Sequence, residues 1–138
     1  MRLHIIIPIM HLRKEFGWFY DNWKEDAVKT YIVNHPEIQS LIDVGLSLLG
    51  VGELEFSPQR PKQPHCLDLL FRKGRTFYAV EVKNRASQLQ FAWRQLDEEV
   101  TCFLNDMKMH GELIDEIIPV LISVSEDITQ PERLSMPM

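Results

Sequence analysis

The chain has 138 residues, 45% of them hydrophobic and 25% charged, with a net charge of −5. That balance suits one soluble globular domain with a core of its own, and it argues against a protein that simply wraps nucleic acid. Two cysteines, Cys66 and Cys102, exclude a disulfide framework and a cysteine zinc site, and the apolar run Ile5–Met10 is too short for a membrane span or a signal peptide, so a reducing cytoplasm is the expected setting.

Leu3–Met10 is apolar enough for a strand, and Pro8 pushes it toward a sheet edge. Phe16, Trp18, Phe19, Tyr20 and Trp23 form an aromatic cluster that needs cover. The core or a homodimer interface would supply it, and base stacking is a third use. Asn22 fits a helix N-cap and Glu25 closes a capping box. The helix would run over Trp23–Val33, with Ala27, Val28, Tyr31 and Ile32 on one side, and end at His35-Pro36. Glu25 and Asp26 in its first turn also suit the helix dipole. A short helix, Glu37–Val44, is closed by Gly45, and Leu46–Phe56 reads as a strand. Ser57–His65 holds three prolines and reads as a loop carrying Arg60, Lys62 and His65.

Leu67–Phe71 and Thr76–Lys83 read as two strands joined by a tight turn at Gly74. Alternation puts Phe77, Ala79, Glu81 and Lys83 on one face of the second strand, and Tyr78, Val80 and Val82 on the other. A carboxylate and an ammonium two residues apart in an apolar strand are costly to bury unless paired or metal-bound. If the hairpin brings Asp68 to that face, two carboxylates and a lysine converge as a site for a divalent metal and a water; the plainer alternative is a solvated surface hairpin. Ser87 then caps a long helix, Gln88–His110, ended by Gly111, with an apolar stripe of Leu89, Ala92, Trp93, Leu96, Val100, Phe103, Leu104 and Met107. Ile117–Val124 is expected as a buried strand parallel to the Glu81 strand, nearer an edge because of Pro119, and Thr129–Met138 as a fraying tail.

Charge is unevenly spread. Arg60–Arg94 carries eight basic residues against two acidic ones, Asp68 and Glu81, whereas the segment from Gln95 onward carries ten acidic against two basic. The basic block surrounds the hairpin, where phosphates would dock. Its cations Arg60, Lys62, Arg72, Lys73, Arg75 and Arg85 are the candidate DNA contacts. The five histidines are scattered without metal-ligand spacing, and no Gly-rich phosphate loop or G-x-S-x-G is present.

Asp68, twelve intervening residues, then Glu81-Val82-Lys83 resembles the signature of the PD-(D/E)XK nuclease superfamily, with Leu67 at the usual proline position. Within it, Glu25–Glu37, Gly45–Gly50 and the Lys83–Ser87 strand exit resemble the nuclease domain of the archaeal and actinobacterial NucS/EndoMS endonucleases, with Asn84 where a glycine is usual. The likeness covers roughly residues 23–100. It implies an α/β domain of the restriction-endonuclease-like type, a small mixed sheet flanked by helices, and Mg²⁺- or Mn²⁺-dependent hydrolysis of DNA. By that resemblance Asp68, Glu81 and the Val82 carbonyl hold the metal, Lys83 orients or deprotonates a water or stabilises the phosphate, and Glu25 is the helix carboxylate beside the metal. A site glutamine on the long helix falls to Gln95, with Gln88 and Gln90 as rivals. The expectation is therefore one domain over 1–138, with an N-terminal strand and aromatic segment, a catalytic core over 21–125 and a tail from 126. It would act on branched, mismatched or single-stranded DNA, as a homodimer. The alternative from another class is a catalytically idle module that docks DNA or protein.

Overall fold

The structure, a computed structural model, describes residues 1–17, 25–51, 67–83, 89–109, 111 and 113–136. It is a mixed sheet with helices on both faces. In chain order the elements are β1 (Arg2–Pro8), α1 (Ile9–Phe16), α2 (Glu25–Asn34), α3 (Pro36–Ile42), β2 (Ser47–Val51), β3 (Leu69–Lys73), β4 (Thr76–Val82), α4 (Leu89–Met109), β5 (Glu116–Ser125) and β6 (Glu132–Met136). The six strands lie in the order β2-β3-β4-β5-β1-β6. β4, β5 and β1 run parallel to their neighbours among themselves, and the antiparallel partners β3, β2 and β6 extend the sheet on either side.

Strand alternation decides which residues enter which core. Leu69 and Phe71 of β3 join Tyr78, Val80 and Val82 of β4 under α1, α2 and α3, which contribute Leu12, Val28, Tyr31, Ile32, Ile38 and Ile42. The opposite parity, Leu70 with Phe77 and Ala79, packs under α4 through Ala92, Trp93 and Leu96. The expected faces of β4 are thus the observed ones. Gly74 opens a two-residue turn at φ 62°, with no positive φ at Arg75, which matches the twist of the flanking strands.

The parallel partnership of β4 and β5 agrees with the sequence, but three expectations are corrected. β1 is an interior strand between β5 and β6, because Pro8 is its last residue and its missing N–H falls where the ladder ends. β5 is interior too: Pro119, opposite Ala79, lies one residue before pairing with β1 begins at Val120, so at that position the strand has a partner on one side only. The described part of the expected tail is ordered into a strand. Glu132–Met136 pairs antiparallel with β1, and Arg133 Nε donates to the Leu41 carbonyl at 2.7 Å, so β6 covers the edge β1 would otherwise expose. Ile9 and Met10, expected as the end of the first strand, instead begin α1. α2 ends at His35-Pro36 as expected, and α3 starts at Pro36, since a proline fits a first helical turn. Asn22 and the aromatic residues from Trp18 to Trp23 lie outside the described residues. No described helix is long and apolar enough to cross a membrane.

Candidate functional site

The C-terminal end of β4 lies where the two helical layers meet. β3 enters the sheet beside it, α2 presents its first turns from one layer, and α4 crosses from the other. The register Leu69↔Val80 sets Asp68 opposite Glu81 by continuation, because an antiparallel pair advances in opposite directions. Asp68 Oδ2 accepts from the Val82 N–H at 2.8 Å, which pins the aspartate to the strand carrying Glu81. Its Oδ1 lies 3.0 Å from Lys29 Nζ. The N–H and carbonyl of one strand residue point to the same side, so the Val82 carbonyl faces the Asp68 side too.

Lys83 is the hub. It sits one residue beyond β4, tied by its N–H to the Ile122 carbonyl at 2.8 Å. Its largely buried ammonium stands 3.5 Å from Glu81 Oε1 and 3.7 Å from Glu25 Oε1, and donates to Gln95 Oε1 at 3.2 Å. The exposed ring of Phe91 lies 6.0 Å from Nζ, at the mouth of the site. Gln95 Nε2 in turn donates to Glu99 Oε1 at 3.3 Å. The structure therefore brings together Glu25, Asp68, Glu81, Lys83 and Gln95, and of the three candidate glutamines Gln95 is the one that touches the lysine. Gln88 lies outside the described residues, and Gln90 is exposed.

Two site residues escaped the sequence reading. Lys29 lies four residues after Glu25, so one helix turn carries both to the same side. Glu99 carried a legible signal: it falls between Leu96 and Phe103 on the apolar stripe of α4, where an acid is out of place.

The electrostatics are unusual for so small a region. Glu81 and Glu99 are each 2% exposed, and Oε2 of each has no hydrogen-bond donor. Burial pushes the Glu81 carboxyl far above the usual carboxylate range, and the nearby Asp68 charge and Glu99 add to the rise, while Lys83 opposes it. Burial also raises Glu99, against its hydrogen bond with Glu81 and with a further push from Asp68. With both ionised, two acceptor-only oxygens face each other without a donor; with one protonated, the pair closes a carboxyl–carboxylate hydrogen bond. Four carboxylates (Glu25, Asp68, Glu81, Glu99) against two lysines (Lys29, Lys83) leave an excess of two negative charges when all are ionised. The cluster has room for a proton or for a cation.

The donor set fits a hard divalent ion: carboxylate oxygens, a nearby backbone carbonyl and an orphaned buried oxygen on Glu81. Among the described residues no three His, Cys, Asp or Glu side chains already stand at ligating distance, and Lys29 pairs with Asp68 Oδ1.

The basic residues do not all join the site. Arg72, Lys73 and Arg75 lie at the hairpin turn, five strand residues from Asp68 and so about 17 Å away. They are thus at the opposite end of β3 and β4 from Asp68 and Glu81. There Lys73 pairs with Asp43 at 3.2 Å, Arg75 pairs with Asp115 at 3.1 Å, and Arg72 donates to the Gly74 carbonyl and lies over the Phe77 ring. Arg60, Lys62 and Arg85 lie outside the described residues. No protein-family model matches the chain, and no curated protein matches it in sequence.

Proposed function

We propose that the chain is a divalent-metal-dependent DNA endonuclease with a restriction-endonuclease-like core, hydrolysing phosphodiester bonds in branched, mismatched or single-stranded DNA. One observation carries the reading: Glu81, buried and with an oxygen lacking any donor, lies on the strand opposite Asp68 and 3.5 Å from Lys83, at the end of a parallel strand between two helical layers. A fold without chemistry gains nothing from such a carboxylate, because desolvating it costs several kcal/mol.

Asp68 and Glu81, with the Val82 carbonyl, would hold Mg²⁺ or Mn²⁺ through oxygen. When bound, the ion supplies Lewis acidity to the phosphate and acidifies water beside it. Lys83 holds or moves a proton at Nζ, or stabilises charge on the phosphate. Gln95 fixes that ammonium by its 3.2 Å hydrogen bond, and Glu25 faces it from α2 at 3.7 Å. Phe91, exposed beside Lys83, offers a face on which a base outside a duplex can stack, which favours unpaired over fully paired DNA.

A second reading, an idle nuclease-like module that docks DNA or protein, draws on a different observation. Both Asp68 oxygens are already engaged, by Lys29 and by the Val82 N–H, so the lysine competes with a metal for this carboxylate. The same assay separates the two. Wild-type chain and the Asp68→Ala and Glu81→Ala variants are incubated with branched, mismatched and single-stranded DNAs, with Mn²⁺ and with chelator. We expect Mn²⁺-dependent cleavage by the wild type and none by either variant, with all three folded. A folded wild type that binds these DNAs but cuts none would favour the idle module, and a variant cutting at the wild-type rate would remove its residue from the site.

A further inference from the structure

Glu99 has no role in the nuclease reading, yet its carboxyl is buried between helix and sheet. α4 lays Ala92 and Leu96 against the sheet, with Phe103 packed beside them, and residue 99 lies three positions after Leu96 and four before Phe103 on that stripe. A leucine there would fill the space with no polar atom to satisfy. The carboxylate instead is 2% exposed, and its Oε1 accepts from the neutral amide of Gln95 through Nε2 at 3.3 Å. Its Oε2 has no donor, and neither does Glu81 Oε2 across the helix–sheet boundary. Lys83 reaches Glu99 only through its charge, because its ammonium is engaged by Gln95 Oε1, Glu81 and Glu25. Lys29 is held on Asp68. Two buried carboxylates from different elements, linked through Gln95 and Lys83, thus each keep one unpartnered oxygen, because Lys83 meets Glu81 at Oε1 and Lys29 is held on Asp68.

We infer that Glu99 is a ligand of the divalent cation held at Asp68 and Glu81, so that carboxylates from the entry of β3, from β4 and from α4 close on one hard ion. The inference rests on the reading of Asp68 and Glu81 as cation-binding. It accounts for the Gln95 bridge, whose amide orients Glu99 through Nε2 and Lys83 through Oε1. A ligand on α4 couples the ion to the helix layer that also carries Phe91 and Gln95.

The test is calorimetric titration of the full chain with Mn²⁺ alone, for wild type, Asp68→Asn, Glu81→Gln, Glu99→Gln and Glu99→Asp, with the Mn²⁺-induced rise in melting temperature measured in parallel. We expect one Mn²⁺ per wild-type chain, affinity at least about tenfold weaker in Glu99→Gln, a correspondingly smaller thermal shift, and partial recovery in Glu99→Asp, which keeps the charge. Glu99→Gln binding Mn²⁺ within twofold of wild type, while Asp68→Asn and Glu81→Gln lose it, overturns the role of Glu99 and leaves the nuclease reading standing. A wild-type chain that binds no Mn²⁺ overturns both. Should Glu99→Gln fail to fold, Glu99→Asp decides alone, and wild-type affinity there overturns the inference because its oxygens sit a methylene short.

Discussion

A single carboxylate, Glu81, concentrates the tension between stability and chemistry. Its Oε2 is buried without a donor, and leaving such a group unmade costs about 1–3 kcal/mol. Glu81→Gln replaces an acceptor oxygen by an amide that can donate toward Glu99. We therefore expect the metal-free Glu81→Gln chain to be more stable than wild type by about 1–3 kcal/mol in urea unfolding, at neutral pH and with chelator present. A less stable variant would mean that Glu81 already has a compensating partner in the metal-free chain. The convergence of Asp68, Glu81 and Lys83 was legible in the sequence, because period-two alternation and a short turn leave few registers for a hairpin. Glu99 was legible only as an acid on an apolar stripe. Lys29 was not, because its partner Asp68 lies 39 positions away in the chain and reaches it only through the packing of α2 on the sheet.

At the scale of the elements, three helices are joined by one histidine. His35 separates α2 from α3, stacks on Tyr31 of α2 with ring centroids 4.0 Å apart, and bonds Glu37 of α3 through Nδ1 and Glu15 of α1 through Nε2. Burial alone would lower its pKa, but the hydrogen bonds it donates to Glu37 and Glu15 outweigh burial and raise it above the ordinary value of 6.5. A raised histidine contributes stability that is fully present below its unfolded pKa and is lost as pH rises through the folded one. The stability gap between wild type and His35→Gln should therefore be widest below about pH 6.5 and close as pH climbs past the raised value. A gap that is flat or grows with pH in denaturant titrations would exclude the charged clamp. The elements most misjudged from sequence were those with proline. Pro8 and Pro119 each suggested an edge, whereas one closes its strand and the other lies just before the second neighbour of its strand begins to pair. β6 was missed because its residues are mostly exposed and alternate too little to signal a strand; pairing with β1 makes it one.

Over the whole molecule, the hairpin-turn cations and the carboxylate site occupy opposite ends of β3 and β4, about 17 Å apart. B-DNA rises 3.4 Å per base pair, so a duplex with one phosphate at Lys83 reaches the turn about five base pairs away. The turn is then a distal backbone contact. Lys73 and Arg75 would have to leave Asp43 and Asp115, half-exposed pairs worth about 0.2–1 kcal/mol each. Asp43 itself is held well below the usual carboxylate range, first by the hydrogen bond from the Tyr78 hydroxyl. Replacing Arg72, Lys73 and Arg75 together by Ala should weaken binding to all DNA sequences alike, reduce the salt slope by up to about 0.9 per lost phosphate contact, and leave cleavage at saturating DNA within about twofold. An unchanged affinity and slope would send the DNA path along another face. The proposed homodimer, argued from the aromatic residues between Phe16 and Trp23, is open to sedimentation at micromolar concentration, where a monomer alone would exclude it.

The cation-binding claim at Asp68 and Glu81 is tested most directly by anomalous diffraction from crystals of the wild-type chain soaked in Mn²⁺. We expect one strong peak about 2 Å from carboxylate oxygens of Asp68 and Glu81, with Lys29 withdrawn from Asp68 and the Glu99 carboxylate turned toward the ion. A fully soaked crystal with no peak there, or with Mn²⁺ bound only elsewhere and the Lys29–Asp68 pair intact, would contradict the claim that this hairpin is a metal centre.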